Sequence, residues 1–489
     1  MRPNVRLRVA GYLLPPLGVV ALWRSPRRLR SKLLGTLGLA VYSILYSGLI
    51  ILLLVRFTGL QIEWRGGYLP RLTYRKTHPD YDALERDRQN RRTKPTPSGP
   101  AQAAAYWTGF RGPHNDGHYD QGPIATNWPV EGLKLLWRQP IGGGYGSFAI
   151  AEGLAFTIEQ RREKEALVAY DLQSGNEIWV YDWPGEFHDY YSEGGPRATP
   201  AYSDGKVYAL GALGTLSCIE AASGKRVWSR EILAENHAGV PSYGVATSPL
   251  VIGEQLIVLS AAGHGHSVLC FNKTDGNPIW SSLDDVTGYA TPMLVQLAGE
   301  TQIIVCCEKR TVGLSPNDGK LLWECPWHVK NKQMPIAQPV VLGTNRFMLS
   351  AGYFTGCAAF EIDRNKNGFT ARIIWQNSNM KNKFTSSVFS QGYIYGLDED
   401  ILTCLDAQTG QRKWKDGRYG YGQVILAGGY LIVLSGEGEL ALVKATPERH
   451  EEIARFQAIN GKTWNHPAIA DGKLLVRNGA EMACFGVGR

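Results

Sequence analysis

Three features that would restrict the function of this 489-residue chain are missing from its sequence. None of its eight cysteines forms a Cys-x-x-Cys pair, which argues against a structural zinc site. No aspartate-rich loop with the ligand spacing of a calcium site occurs either. After residue 100 the acidic residues outnumber the basic ones. A nucleic-acid-binding surface is therefore not expected on this part of the chain.

The positive charge is concentrated in the first 100 residues, around two apolar runs. Residues 33–55 carry no charge and are long enough to cross a bilayer. Residues 9–23 contain Pro15-Pro16 and are either a short first span, which would make a helical hairpin, or an interfacial segment. The basic cluster between the runs, Arg24, Arg27, Arg28, Arg30 and Lys32, favours the cytoplasmic side.

We therefore expect residues 1–60 to be an integral anchor in a bacterial inner membrane, with the rest of the chain on the periplasmic side. No Ala-x-Ala cleavage site is evident near the span, so the anchor should be retained. Residues 61–105 contain Pro95-Thr-Pro97-Ser-Gly-Pro100 and are expected to form an extracytoplasmic linker. The remaining residues, 106–489, are expected to form one domain.

This domain is organised by a phrase in which glycine follows an acidic or small polar residue by four positions and tryptophan follows glycine by four. It occurs at Asp171/Gly175/Trp179, Glu220/Gly224/Trp228, Asn272/Gly276/Trp280, Ser315/Gly319/Trp323 and Asp406/Gly410/Trp414. A strand precedes each copy, glycine supplies the positive φ of a hairpin turn, and tryptophan fills the space between neighbouring sheets. Repeats of this length predict a propeller or solenoid.

Three degenerate copies bring the number of repeats to eight. They are centred on Trp137, Trp375 and Ala454. A second phrase, in which a small residue or a dipeptide ending in proline leads into an apolar strand, also occurs eight times, for example at Thr199-Pro and Ser248-Pro. The Trp137 strand lacks its partners, and the strand at Met482-Ala-Cys-Phe lacks the following tryptophan strand. Pairing these two would close an all-β ring of eight blades.

The tryptophan phrase resembles the docking motif of pyrroloquinoline-quinone (PQQ) type eight-bladed propellers, over about residues 130–489. Trp107-Thr-Gly-Phe-Arg-Gly-Pro113, with Asp116-Gly117, further resembles PQQ-like repeat proteins anchored in bacterial envelopes. The resemblance implies the fold. It leaves function open, because the family includes quinoprotein dehydrogenases and also propellers without a cofactor, such as the scaffold lipoprotein of outer-membrane β-barrel assembly.

A quinoprotein dehydrogenase would imply PQQ with calcium, a set of carboxylate and amide ligands, a catalytic aspartate and often a ring of two adjacent cysteines. Only Cys306-Cys307 matches in residue type, and the alternative is a strand pair with one thiol inward and one outward. His264-Gly-His266 suits a hairpin tip better than a metal site. No complete ligand set and no catalytic residue is identified.

The repeat register points to a different candidate site. In a propeller, the residues just before each inner strand form the rim of the central channel. These positions hold Tyr145, Arg197, Tyr243, Tyr289, Lys383, Phe384, Tyr421, Trp464 and His466. Aromatic rings with a few cations suit an anionic, planar or sugar-like ligand, whereas the alternative is that tyrosines only cap the blades.

The sequence thus predicts a membrane-anchored binding or scaffolding module that holds an envelope protein or a small molecule. The alternative function is a PQQ-dependent oxidoreductase that passes electrons to the membrane. One loop, residues 183–196, is longer than its counterparts and carries Glu186, His188 and Asp189, which could serve acid-base chemistry or be a surface loop.

Overall fold

The structure is a computed structural model. It describes residues 15–58, 60–63, 71–73, 79–92, 106–189, 192, 194–260, 264–330 and 334–488. Two compact units are present, residues 1–76 and residues 77–489. The possible first span at residues 9–23 lies partly outside the described residues.

The described residues of the first unit form two helices, α1 (Pro15–Trp23) and α2 (Leu29–Thr58), and a small hairpin of β1 (Gln61–Glu63) and β2 (Arg71–Thr73). Helix α2 contains the uncharged run and is long and apolar enough to cross a membrane. None of its residues is buried. The helices pack against each other through Trp23, whose Nε1 donates to Thr36 Oγ1 at 2.9 Å.

The second unit is an eight-bladed β-propeller, so the predicted fold class is confirmed. It opens with α3 (Tyr81–Arg92) and β3 (His118–Tyr119). In every blade the strands run antiparallel from the central channel outwards. Strand β3 adds a fifth, parallel strand on the channel side of blade 7.

The first four blades are composed as follows. Blade 1 contains β5 (Ala149–Ala151), β6 (Leu154–Arg161), β7 (Lys164–Asp171) and β8 (Glu177–Pro184). Blade 2 contains β9 (Ala201–Ser203), β10 (Lys206–Leu210), β11 (Thr215–Glu220) and β12 (Arg226–Glu231), followed by a short helix α4 (Ile232–Glu235). Blade 3 contains β13 (Leu250–Ile252), β14 (Gln255–Leu259), β15 (Val268–Asn272) and β16 (Pro278–Ser282). Blade 4 contains β17 (Met293–Leu297), β18 (Glu300–Cys306), β19 (Thr311–Leu314) and β20 (Leu321–Cys325).

The last four blades complete the ring. Blade 5 contains β21 (Val340–Val341), β22 (Arg346–Ala351), β23 (Gly356–Asn365) and β24 (Gly368–Asn377). Blade 6 contains β25 (Val388–Ser390), β26 (Tyr393–Asp398), β27 (Ile401–Asp406) and β28 (Arg412–Arg418). Blade 7 contains β29 (Gln423–Ala427), β30 (Tyr430–Leu434), β31 (Glu439–Lys444) and β32 (Glu452–Gln457). Blade 8 contains β33 (Ala468–Ala470), β34 (Lys473–Arg477), β35 (Glu481–Gly486) and β4 (Lys134–Pro140), with Cys484 opposite Trp137.

The tryptophan phrase holds neighbouring blades together. All five phrase glycines have φ between 68° and 74°, a region that favours glycine. In all five turns the tryptophan of the preceding blade lies so close that a Cβ on the glycine would approach it to 2.5–2.7 Å, and at Gly410 that tryptophan is Trp375. The indole N–H then donates to a carbonyl of that turn, as in Trp179 to Ala221 O at 2.8 Å. The glycine therefore serves both the turn and the close contact.

The residue opposite each tryptophan in the neighbouring strand is small. It is cysteine in four blades, where Cys218, Cys270, Cys404 and Cys484 are all fully buried. Alanine or glycine takes the position in blades 1, 4 and 5. Blade 7 reverses the sizes, since Ala454 replaces tryptophan and Leu442 lies opposite. Each pair thus combines a larger residue with a smaller one, which avoids a clash of two large side chains between the strands.

The junction between blades 4 and 5 departs from the pattern. Blade 5 has a long β23–β24 hairpin and no phrase glycine, so Trp323 of blade 4 has no turn of the usual kind on which to dock. Its indole N–H instead donates to Gln302 Oε1 within its own blade. The junction between blades 4 and 5 therefore lacks the docking of a tryptophan on a glycine turn.

A closed belt of hydrogen bonds links the eight inner strands. Backbone N–H groups of Ser147, Thr199 and Ser248 each donate to a hydroxyl of the next blade at 2.9 Å. At the remaining junctions the side chains of Gln338, Gln423 and Asn465 donate to backbone carbonyls, and the backbone N–H of Gln338 donates to Ser386 Oγ. This explains the polar residues of the second phrase, such as Thr199 and Ser248.

Helix α3 lies against blade 1. Asp80 caps its first turn by accepting from the N–H of Ala83 at 3.0 Å, and Leu84 is buried. Arg88 reaches Glu159 at 2.6 Å and Glu177 at 2.9 Å, two carboxylates that Arg161 also contacts. These cations hold the pKa of the fully buried Glu159 down at about 2 against the effect of burial. The helix is thus part of the propeller unit.

Candidate functional site: the central channel

The structure brings most of the predicted rim residues into one ring at one mouth of the channel. We call this set the rim ring, and each blade contributes to it. Its members are Tyr145, Arg197, Tyr243, Tyr289, Tyr353, Lys383, Phe384, Tyr421, Lys462 and Trp464. All are half-buried except Lys462, which is buried.

Arg197 organises the half of the ring that comes from blades 1 to 4. Its guanidinium lies 5.1 Å from the ring centroid of Tyr145 and 5.7 Å from that of Tyr243. Its Nε donates to Tyr243 O at 2.8 Å, and Tyr243 packs edge-on against Tyr289 at 5.5 Å. Phe187, from the long loop after β8, covers the cation at 5.5 Å. Cation–π contacts of this kind favour retention of a cation in a half-buried place.

Two lysines organise the other half. Lys462 Nζ lies 4.5 Å from the ring of Trp464, which also stacks with Tyr145 at 5.6 Å and packs on Phe384 at 4.6 Å. Lys383 Nζ lies 4.9 Å from the ring of Tyr421 and 5.0 Å from that of Tyr353. The aromatic contacts therefore run from blade 1 through blade 8 and on to blade 5.

Two acidic groups accompany the three cations. Asp189 bonds Arg197, and Glu399 lies 3.5 Å from the hydroxyl of Tyr421. Burial lowers the pKa of Lys383 and raises the pKa of Glu399, so both groups shift towards their neutral forms. An anionic ligand at the rim would reverse the shift of Lys383, because a nearby negative charge favours the ammonium form.

His466 is placed differently from the other predicted residues. It is buried, its ring packs edge-on against Phe110 at 4.8 Å, and its Nδ1 lies 3.4 Å from Arg111. Burial, with a smaller effect of Arg111, lowers its pKa well below the usual value. His466 therefore contacts the segment described next, rather than the aromatic members of the rim ring.

The opposite mouth of the channel is crossed by residues 107–119, which we call the plug. Carbonyls of Trp107 and Thr108 accept from Ile150 of blade 1 and Tyr202 of blade 2, both at 2.7 Å. Strand β3 then pairs with Leu426 and Ala427 at the far end of β29. Because the inner strands begin at the rim ring, these contacts place the plug at the other end of the channel.

Arg111 extends from the plug into the channel and is 1 % exposed. Its guanidinium donates to Val424 O at 3.0 Å, to Ser387 O and Asp116 O at 3.1 Å, and contacts His466 Nδ1. Inner strands of blades 6, 7 and 8 are thus tied to one side chain. Burial lowers the pKa of Arg111 to about 10, which still leaves it charged near neutrality.

Sequence reasoning missed several of these residues. Tyr353 lies in the turn between β22 and β23, not before an inner strand, so the register could not indicate it. Lys462 precedes Trp464 by two positions and could have been included on that ground. The plug motif indicates a family resemblance, and nothing in its own sequence signals contacts with blades more than 250 residues away.

The other candidate residues from the sequence lie in packed blades or in surface turns. Cys306 and Cys307 are free and buried, on opposite faces of blade 4, in the clusters shared with blades 5 and 3. The alternation was expected, but Cys307 does not point outward to solvent, because both faces of a blade are covered. His264 and Gly265 have φ of 52° and 81° in the turn before β15. Glu186 contacts His188 at 2.7 Å on the surface.

An eight-bladed ring with tryptophans docked on glycine turns defines a PQQ-type β-propeller. Residues 163–416, just over half of the chain, match the family described as outer membrane protein assembly factor BamB, and the chain belongs to this family. BamB of Moranella endobia is 24% identical over 306 residues, 58% of this chain and 71% of that protein.

Two solved structures share the fold. BamB from Moraxella catarrhalis has a TM-score of 0.53 at 14% identity, over 72% of this chain and 97% of that one. Quinohemoprotein alcohol dehydrogenase ADHIIG from Pseudomonas putida HK5 has a TM-score of 0.53 at 11% identity, over 78% and 80%. At these identities the likeness shows architecture only, and does not separate a binding propeller from a dehydrogenase.

The channel residues fit the quinone of a PQQ–calcium group but not its metal ion. The cations and flat rings of the rim ring suit a planar anion. They do not provide a set of ligands for the calcium ion. Among the described residues no cluster of three or more His, Cys, Asp or Glu could hold an ion. The rim carboxylates Asp189 and Glu399 are each engaged by neighbouring rim side chains.

Proposed function

We propose that this chain is a membrane-anchored propeller that acts outside the cytoplasm as a binding or scaffolding module, with the rim ring as its contact surface. The observation that carries this proposal is the convergence of three cations and seven aromatic rings at the mouth that the plug leaves uncrossed. Such a surface recognises anionic and planar groups, either on an envelope protein or on a small molecule.

Two further observations support a location in the bacterial envelope. The family and the relatives described above are named as outer membrane protein assembly factors, which favours work in the bacterial envelope. Helix α2 is suited to span the inner membrane, and the basic residues before and at its start favour a cytoplasmic position for that end. The propeller would then face the periplasm.

Site-specific photo-crosslinking in cells tests the scaffolding role. A photoreactive amino acid at Tyr353 or Tyr421 should yield crosslinks to a defined envelope protein, and the triple variant Arg197→Gln, Lys383→Gln, Lys462→Gln should remove them. The matched control is Arg449→Gln, which changes a cation on an exposed turn of blade 7. Crosslinks that persist in the rim triple variant would contradict the assignment of the rim ring as the contact surface.

The alternative is a PQQ-dependent oxidoreductase, and the planar-anion character of the rim ring is what favours it. Full-length protein in lipid nanodiscs should be titrated with PQQ, with and without calcium, while absorbance and thermal unfolding are followed. A stabilisation that requires both components, together with reduction of a dye by an alcohol, would support the enzyme. Binding of PQQ that is indifferent to calcium would support an anion-binding module instead.

A further inference from the structure

Residues 183–189 cover one cation of the rim ring, and we call them the cover segment. The ring of Phe187 lies 5.5 Å from the guanidinium of Arg197, and Asp189 forms an ion pair with it. With these contacts in place, the Arg197 side chain is only 13 % exposed. The position of the cover segment therefore determines the access of a ligand to Arg197.

The cover segment begins at a buried carboxyl group. Trp183, its first residue, donates from Nε1 to Glu165 at 3.0 Å. Glu165 also accepts from the N–H of Ala212, in the β10–β11 turn of blade 2, at 3.0 Å. Gly211 of the same turn packs so closely that a Cβ there would clash with Glu165 Oε2. The fully buried Glu165 therefore joins the start of the cover segment to blade 2.

Among the described residues, no charged group contacts the carboxyl group of Glu165. The residues packed against it are uncharged: Gln160 of β6, Trp183 of β8, and Gly211 and Ala212 of blade 2. The charged residues nearest to it along the chain are exposed: Glu163, Lys164 and Glu186. Burial without a compensating cation disfavours the carboxylate, and it raises the pKa of Glu165 to about 7.

Loss of this proton places a negative charge among uncharged groups. Two neutral N–H donors compensate a buried carboxylate less well than water does. The cover segment is the layer between Glu165 and solvent, because a Cβ on Gly185 would lie 3.6 Å from Glu165 Cγ while the neighbouring Pro184 and Glu186 are exposed. Displacement of this segment is therefore the shortest way to hydrate the carboxylate.

We propose that the cover segment is a pH-sensitive cover of Arg197, which the protonated Glu165 holds closed. When Glu165 loses its proton, the segment separates from it, and Phe187 and Asp189 leave the guanidinium. The opening itself does not depend on the function proposed for the rim ring. Its consequence, stronger binding of an anionic partner at Arg197, does rest on that function.

The direction of the effect follows from the linkage between proton binding and closure. The closed segment holds the proton with a pKa of about 7, whereas the hydrated glutamate of the open segment has a pKa of about 4.3. The contribution to closure is therefore complete below about pH 4 and is lost as pH rises through 7. Between pH 6 and pH 8.5 the equilibrium constant for opening should rise about tenfold.

Hydrogen exchange of the full-length protein in lipid nanodiscs tests the proposal. The N–H groups of Gly185 and Phe187 bond Glu163 O and Gln160 Oε1, so opening exposes them to exchange. After correction for the intrinsic effect of pH on exchange, their protection should be about tenfold lower at pH 8.5 than at pH 6. The amides of β30 in blade 7 should show no such change.

Glu165→Gln should keep the segment closed at both pH values, whereas the control Glu163→Gln, an exposed change, should respond as the wild type does. Trp183→Phe removes a donor that favours the charged form, so it should move the midpoint of opening to higher pH. This variant gives an answer even if Glu165→Gln fails to fold. Equal protection at both pH values in the wild type overturns the proposal, as does an undiminished response in Glu165→Gln.

Crosslinks from a photoreactive amino acid at Tyr421 separate this proposal from the function proposed above. They should increase at pH 8.5 in the wild type and remain constant in Glu165→Gln. If the segment opens but no rim crosslink forms at either pH, the cover is supported and the contact surface is contradicted.

Discussion

The rim mouth of the channel is assembled from side chains that eight separate blades contribute, whereas the opposite mouth is crossed by one continuous segment. Nearly every member of the rim ring is half-buried. The plug, in contrast, places Trp107, Arg111 and Tyr119 almost fully out of solvent. The first mouth therefore has side chains available for a partner, and the second has side chains committed to the fold. Changes at the two mouths should differ accordingly in their cost to stability.

The largest expected effect comes from a buried acid near the rim end of blade 1. Glu165 is fully buried, and it accepts from Ala212 N–H and Trp183 Nε1, both at 3.0 Å. Burial outweighs these bonds and raises its pKa to about 7. The folded state thus holds the proton more tightly than the unfolded chain. The resulting stabilisation is complete below about pH 4 and is lost as pH rises through 7.

The free energy of unfolding should therefore fall by about 3 kcal/mol between pH 4 and pH 8 from this group, and Glu165→Gln should remove that fall. Urea unfolding across this pH range measures it. Glu163→Gln, an exposed change two residues away, is the control and should leave the profile as it is. A profile identical in wild type and Glu165→Gln would contradict a neutral, buried acid at this position.

A smaller effect is expected in the plug. Gly117 has a φ of 80°, and a Cβ there would lie 2.4 Å from Nη2 of Arg111. Gly117→Ala combines backbone strain with displacement of a bonded guanidinium, and should reduce the free energy of unfolding by about 2 kcal/mol. Gly122→Ala is the control, because its Cβ would meet only the hydroxyl of Tyr119 at 4.0 Å. Equal unfolding midpoints for the two variants would show that the plug is not committed to the fold.

The smallest effect is expected at the rim ring. Arg197→Gln and Lys383→Gln each remove cation–π contacts at a half-buried position. Burial already disfavours the charged form of Lys383 by lowering its pKa. Each change should alter the free energy of unfolding by less than about 1 kcal/mol. Thermal unfolding of the two variants beside Gly117→Ala makes the comparison. A loss at the rim as large as that in the plug would remove the distinction between the two mouths.

The sequence predicts the blades well because the tryptophan phrase is a local signal with a local cause. Gly224, for example, is needed by its own turn and by Trp179 of the preceding blade, and Trp228 follows it at the constant spacing of the phrase. The rim residues follow from the same register wherever they precede an inner strand. Tyr353 does not, since it sits on a hairpin turn. The plug could not be predicted because Arg111 finds its acceptors, Ser387 O and Val424 O, only when the ring is closed.

Ring closure also sets an order of events in time. Strand β4, which contains Trp137, pairs with β35. It therefore has no partner until Cys484 and its neighbours, more than 340 residues later in the chain, have been synthesised. Contacts this distant in sequence form slowly, and unpaired strand edges are prone to pair with other chains. As the chain emerges residue by residue, seven blades can form while the eighth is still a single strand. The interval before residues 481–486 arrive is when the nascent protein is most exposed to misassembly, and most in need of a chaperone.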